Sequence, residues 1–279
     1  MIVWVNGELS SKENARVSVL DRALLYGASA FERMRAHDGQ VLGLDLHLSA
    51  LALTCEALSI DHDRDAVRVD VARALSQAPP DASVRVLVTA GDAKLSLPGS
   101  RLVFVEAAAP PAREAYASGV SAVVVQTDHS PRAPLVVHKW GGYASHLVLR
   151  ASAEAMGAHE ALVTNTAGAV VEGATSNVFA MVDGALWTAP DAAGVRAGVT
   201  RHFVLESARR RGLPIELRVL AQESLRRASE VFITSSVREI LPIASIDRDP
   251  VGQGSFVHAR MLHSDLRALK GMPDRLPWL

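Results

Sequence analysis

The sequence predicts an α+β protein of two domains, a smaller one over residues 1–109 and a larger one over residues 117–279, with a linker at 110–116. Three observations lead there. Apolar runs of strand length alternate with segments of helical spacing, yet without the regular strand–helix beat of a parallel α/β sheet. The stretch Ala107-Ala-Ala-Pro-Pro-Ala112 has the composition of a linker. Beyond residue 160, short strands separated by Gly- and Asp-containing turns read as a β-meander.

Taken in order, residues 2–5 are a strand entering a tight turn at Asn6-Gly7, where glycine is free to take positive φ. Residues 30–37 are a strand that turns at Asp38-Gly39 toward Val41-Leu42. Residues 47–58 and 67–75 have helical spacing, the second segment closed by Pro79-Pro80-Asp81. Strands follow at 83–90 and 101–106. In the second half, residues 120–125 are β-branched and apolar, and 145–156 form an amphipathic helix ended by Gly157. Short strands are expected at 161–164, 170–171, 178–182 and 186–187, with Gly168 and Asp183-Gly184 at the turns. Residues 200–211 are a helix stopped by Gly212 and Pro214, 223–228 another, 230–234 a strand and 257–269 a closing helix.

Composition removes several functions. With 279 residues, 49% hydrophobic and 21% charged, the chain is that of an ordinary globular protein. A formal net charge of -1, with no basic run interleaved with aromatics, argues against nucleic acid as a partner. No apolar stretch approaches membrane-spanning length and the first residues lack the regions of a secretory signal, so no membrane partner is expected. Cys55 is the single cysteine, which excludes an internal disulfide framework and fits a reducing, cytoplasmic setting. The ten histidines never show the paired spacing of a zinc-binding helix, so no metal is expected. His37, His47, His258 and His263 read as polar surface or core-edge residues. Neither a glycine-rich nucleotide loop nor a nucleophile elbow is present.

The chemistry then rests on a lysine, a carboxylate and two turns. Lys139, one of four lysines, follows an apolar run in Pro134-Leu-Val-Val-His-Lys-Trp-Gly-Gly-Tyr143. A primary amine near a core is costly as a cation and inclines to the neutral form that attacks carbonyls, although a lysine at a strand end can also reach solvent. Glu172 lies between an apolar strand and the small residues Gly173-Ala-Thr-Ser176. Unless it faces water, a carboxylate there needs a cation or several donors. Gly198-Val-Thr-Arg201 opens a helix with a glycine and a hydroxyl, a start suited to an anion. A second small-hydroxyl turn follows at Thr234-Ser-Ser236-Val237.

The order of these residues resembles a known family. Val3-Trp-Val-Asn-Gly7, Phe31-Glu32, Lys139, Glu160-Ala-Leu162, Val171-Glu-Gly173, Ser176-Asn-Val-Phe179, Gly198-Val-Thr-Arg201 and Glu230-Val-Phe-Ile-Thr-Ser-Ser236 together resemble the fold-type IV, or class IV, pyridoxal-phosphate aminotransferases and lyases. The resemblance covers nearly the whole chain. It implies a small N-terminal α/β sandwich, a larger C-terminal β-barrel-like domain with helices, and pyridoxal 5'-phosphate between them. It also implies a homodimer acting on a small amino or oxo acid. By the same resemblance, Lys139 is the amine that carries the cofactor and later moves a proton. Glu172 partners the pyridine nitrogen and Tyr143 the phenolate oxygen. Val199, Thr200 and Ser236 hold the phosphate. The amides of Ser236 and Val237 lie near a substrate carboxylate, and Arg33 takes a normally small position facing the site. The interval of 21 residues from Lys139 to Glu160 resembles the lyase and D-amino acid branch more than the branched-chain enzymes. The leading expectation is therefore an enzyme like the 4-amino-4-deoxychorismate lyases. The alternatives are a D-amino acid or branched-chain transaminase, and a scaffold that no longer binds the cofactor.

The chain also departs from the family. Where relatives carry His-x-x-Arg, with the arginine on the cofactor phosphate, this chain reads His47-Leu-Ser-Ala50. Arg33 could replace that cation or could instead meet a substrate carboxylate. The loop from Gly91 to Gly99 lacks the usual Gly-Arg-Gly pattern, so substrate choice does not carry over.

Overall fold

The computed structural model describes residues 1–269; the end of the expected second domain, with Lys270, lies outside the described residues. The chain divides into two compact units, one of Met1–Ala109 with His138–Ala144, the other of Pro110–Val137 with the chain from Ser145 onward.

In the first unit, β1 (Ile2–Val5), β2 (Glu8–Ser10), β3 (Ser29–His37), β4 (Gln40–Val41), β5 (Asp81–Thr89) and β6 (Arg101–Ala107) form an antiparallel sheet in the order β2-β1-β6-β5-β3-β4. The two tight hairpins follow from their turn residues. Asn6 and Gly7, then Asp38 and Gly39, all have positive φ, as a two-residue hairpin turn requires. Helices α2 (Leu44–Ala57) and α3 (Arg64–Leu75) cover one face, burying Leu48, Leu51, Val67 and Val71 against Met34, Val84, Val86 and Val103. Asp63 caps α3 by accepting from the amides of Asp65 and Ala66. A short α1 (Arg22–Tyr26) precedes β3, capped by the buried Asp21. Cys55 belongs to this core, where burial pushes its thiol up to about 12 and leaves it inert.

The segment His138–Ala144 joins this sheet, which amends the expected division at residues 110–116. β4 pairs only with Ala36 and His37, so the first half of β3 keeps an open edge. The returning chain fills it. Phe31 N donates to Lys139 O at 2.9 Å, Gly141 N to Ser29 O at 2.8 Å, and Ala30 bridges Trp140. The approach needs glycine, because a Cβ on Gly141 would press on Gly27 O and one on Gly142 would run into the Trp140 ring. The expected linker is also shorter than 110–116, since α4 (Arg113–Ser118) begins as soon as the two prolines allow.

The second unit is a nine-stranded mixed sheet. Its strands are β7 (Val120–His129), β8 (Glu160–Asn165), β9 (Val170–Gly173), β10 (Asn177–Val182), β11 (Ala185–Thr188), β12 (Ile215–Leu217), β13 (Glu230–Ser235), β14 (Glu239–Ile246) and β15 (Asp249–Pro250). The order is β12-β11-β10-β13-β14-β7-β8-β9, with β15 beside β14. The sheet curls until its ends meet, for Val170 and Leu220 exchange backbone hydrogen bonds of 2.9 and 3.0 Å. Helices α5 (Ala144–Ala155), α6 (Val199–Arg210), α7 (Gln222–Arg227) and α8 (Val257–Leu269) complete the unit.

The expected meander is only half present. β8–β9 and β10–β11 are hairpins, but β13 rather than β9 lies beside β10. The diversion occurs at Ala174-Thr-Ser176, where the Thr175 and Ser176 hydroxyls both donate to the buried Glu160 and Ser176 folds back on Gly173. All six residues of β10 are buried, so it runs through the interior and not along an edge.

Candidate active site

Each unit carries part of the expected set. In the first, β3 presents Ala30, Glu32, Met34 and Ala36 to the core face and Arg33 to the other. Glu32 is buried, and its Oε2 accepts from Lys139 Nζ at 3.1 Å and lies 2.7 Å from His47 Nδ1. Lys139 is therefore paired with a carboxylate and about a quarter exposed, not sealed in the core as its apolar approach suggested. The carbonyl docking onto β3 fixes its backbone while its side chain reaches Glu32. His47, read as a surface or core-edge residue, is buried because α2 lies directly on Glu32. His263 is likewise fully buried, paired with Glu239 at 2.7 Å. Tyr143 packs edge-on against Phe31, ring centroids 5.1 Å apart. Arg33 Nε donates to Ser83 at 3.0 Å and its guanidinium pairs with Glu106 at 3.4 Å.

In the second unit, Glu172 is buried on β9, not turned to water. It accepts from the Arg196 amide at 3.2 Å and faces the Arg196 guanidinium at 3.8 Å. Burial pushes its carboxyl up, while the Arg196 charge and amide and the His129 charge work against that rise. Arg196 is fixed in turn by Asn177, whose side-chain amide donates to the Arg196 carbonyl at 2.9 Å. Three residues on, α6 starts. Its N-cap is Gly198, which supplies no side-chain cap, so the first amides, at Val199 and Thr200, end in a cluster of donors. A Cβ on Gly198 would collide with Asn177 Oδ1, so the bare cap is built in.

The turn Ser236–Arg238 joins β13 to β14 and is held from three sides. Tyr116 donates its hydroxyl to Arg238 O at 2.9 Å, Arg238 Nη2 reaches Glu160 at 2.9 Å and Thr175 O at 3.2 Å, and Glu239 takes φ 58° in the core beside His263 and Arg267. Sequence reasoning passed over Arg196, Arg238 and Tyr116, since each is an ordinary residue type until the fold places it. His146 is a further such residue. Its Nδ1 lies 2.8 Å from Ala174 O, and burial, with the nearby Arg196 charge, lowers it to about 4, so the ring is neutral near pH 7.

The first unit thus holds a lysine amine tied to a buried carboxylate, and the second holds a sealed acid and a helix start without a side-chain cap. Comparison with known proteins gives the class. The family model described as amino-transferase class IV matches residues 29–246. The branched-chain-amino-acid aminotransferase of Salmonella typhimurium is 31% identical over 271 residues, covering 90% of this chain and 87% of that protein. The crystal structure of the Escherichia coli branched-chain amino acid aminotransferase superposes with a TM-score of 0.87 at 28% identity, covering 99% of this chain and 97% of that one. A branched-chain amino acid aminotransferase from T.th., solved with pyridoxamine 5'-phosphate, gives 0.86 at 26% identity, covering 98% and 95%.

The chain belongs to the class IV amino-transferase family. The expected fold-type IV architecture and a pyridoxal 5'-phosphate-dependent enzyme stand with it. The preference for the lyase and D-amino acid branch does not, because these relatives are branched-chain aminotransferases over almost their whole length. A one-residue difference in the Lys139–Glu160 interval weighs little against likeness over nine-tenths of the chain.

Proposed function

We propose that the protein is an aminotransferase that moves the amino group of a branched-chain amino acid to a 2-oxo acid. Its likeness to the branched-chain enzymes over 90% of the chain carries this reading. The residues present fit pyridoxal 5'-phosphate: a primary amine at Lys139, a buried carboxylate at Glu172, and a donor cluster at the start of α6. When bound, the cofactor supplies an electron-withdrawing ring that eases loss of the substrate Cα proton. Lys139 holds the cofactor and then carries that proton on Nζ. Glu172 keeps the pyridine nitrogen positively charged, and Tyr143 donates to the phenolate oxygen. The amides of Val199 and Thr200, the Thr200 hydroxyl and Ser236 bind the phosphate. Val237 and Arg33 orient the substrate carboxylate.

We infer a homodimer as the working form. In its support, Val19, Leu24 and Tyr26, close together in the chain, are 69%, 67% and 74% exposed.

The test is a substrate panel. Turnover of leucine, isoleucine or valine with 2-oxoglutarate, above that of D-alanine, is the expected result. Pyruvate release from 4-amino-4-deoxychorismate without an amino acceptor would return the lyase reading. Alongside, a yellow band that borohydride fixes in the wild type but not in Lys139→Ala would assign the lysine.

A further inference from the structure

Glu32 is an ionisable group in a largely apolar interior beneath α2. This carboxylate sits on the core face of β3 between Ala30 and Met34, only 4% exposed, with one oxygen shared between Lys139 Nζ and His47 Nδ1. A buried ion is expensive, and an apolar residue of the same size would join α2 to β3 at least as well. Of the three partners, Lys139 is the one with access to solvent, and its backbone is pinned to β3. The arrangement thus places a fixed negative charge under a movable amine.

We propose that Glu32 and His47 are positioning residues for Lys139: a buried counter-anion and the imidazole that braces it, which seat the ε-ammonium and set the pH at which it becomes a free amine. The proposal rests on Lys139 being the reacting amine. The proton bookkeeping is simple. Nζ gives a proton to water, the ion pair breaks, the lone pair is freed, and Glu32 keeps its charge against His47. Burial alone would raise the Glu32 carboxyl, but the Lys139 charge and the His47 hydrogen bond and charge outweigh it and hold the carboxyl below its ordinary range. Among the described residues, the titratable groups against Glu32 are Lys139 from the docked segment and His47 from α2. His138, next to Lys139 in the chain, bonds instead to Thr54 Oγ1 of α2 at 3.1 Å.

The experiment uses the cofactor-free chain, reductively methylated with formaldehyde across a pH series, with modification of Lys139 read by peptide mass spectrometry. Glu32→Gln is expected to move the midpoint of Lys139 reactivity to lower pH by about one unit, since an opposite charge within ~4 Å shifts a titration by that much. Lys12 and Lys94 should react as before. A folded Glu32→Gln protein with an unmoved midpoint overturns the proposal, because a merely structural carboxylate would not touch that midpoint. If Glu32→Gln does not fold, Lys139→Ala serves. Removing the cation beyond Glu32 should shift the ring titration of His47, followed by NMR, to higher pH, and an unshifted ring overturns the coupling. The cofactor reading fails separately. Wild-type protein that shows no fixed band with pyridoxal 5'-phosphate, yet a moved midpoint in Glu32→Gln, supports the positioning pair while removing the cofactor.

Discussion

A carboxylate sealed from water keeps its proton more firmly than an exposed one, and Glu172 is held between that tendency and the Arg196 charge beside it. In the proposed function the Glu172 carboxylate pairs with a protonated pyridine nitrogen, and the Arg196 charge helps it to stay ionised. Glu172→Gln should therefore slow amino transfer by about two orders of magnitude while leaving the cofactor bound, as read by single-turnover kinetics beside the visible spectrum. His146 makes a prediction of opposite sign on stability. Its ring is held at about 4 in the folded chain against an ordinary 6.5, so the unfolded chain takes up a proton that the folded one refuses. The contribution is intact above pH 6.5 and is lost as the pH falls toward 4. His146→Gln, which keeps a donor for Ala174 O, should flatten the fall in melting temperature across that window. Lys139 and Glu172 were legible in the sequence as unusual residues among apolar or small neighbours. Glu32, His47 and Arg196 were not, because their meaning depends on partners that the chain supplies at a distance.

Among the elements, α6 has the plainest chemical consequence. A helix of 12 residues with a glycine N-cap leaves its first amides without a side-chain partner, and the proposed function gives them the cofactor phosphate. Thr200→Val should weaken pyridoxal 5'-phosphate binding by roughly tenfold, the worth of a charge-assisted hydrogen bond, as measured by equilibrium titration. Most helices and hairpins were readable from apolar period, caps and turn dipeptides, and α8 follows its predicted bounds. β14 escaped notice because Pro242 interrupts it, and a proline argues against an interior strand. The fold tolerates it because Pro242 lies one residue before the pairing with β7 begins at Ile243. The meander failed for a different reason. Local pattern shows which segments are strands, but the hydroxyls bound to Glu160 decide where the next strand goes.

At the scale of the whole molecule, the exposed apolar side chains near α1 predict self-association. Sedimentation velocity should show a dimer, and the double variant Leu24→Glu with Tyr26→Glu should shift it to monomer. A wild-type monomer would remove the inference. The chain divides into two compact units, and no composition could reveal that His138–Ala144 returns to the first sheet. That return has a bearing on synthesis. When residue 109 has left the ribosome, every strand of the first sheet is present, yet the edge of β3 still waits for residues made some thirty positions later. Lys139, the proposed reacting amine, travels in that late piece. A chain cut short before residue 138 would lack both the segment that fills the edge of β3 and the amine that reaches Glu32.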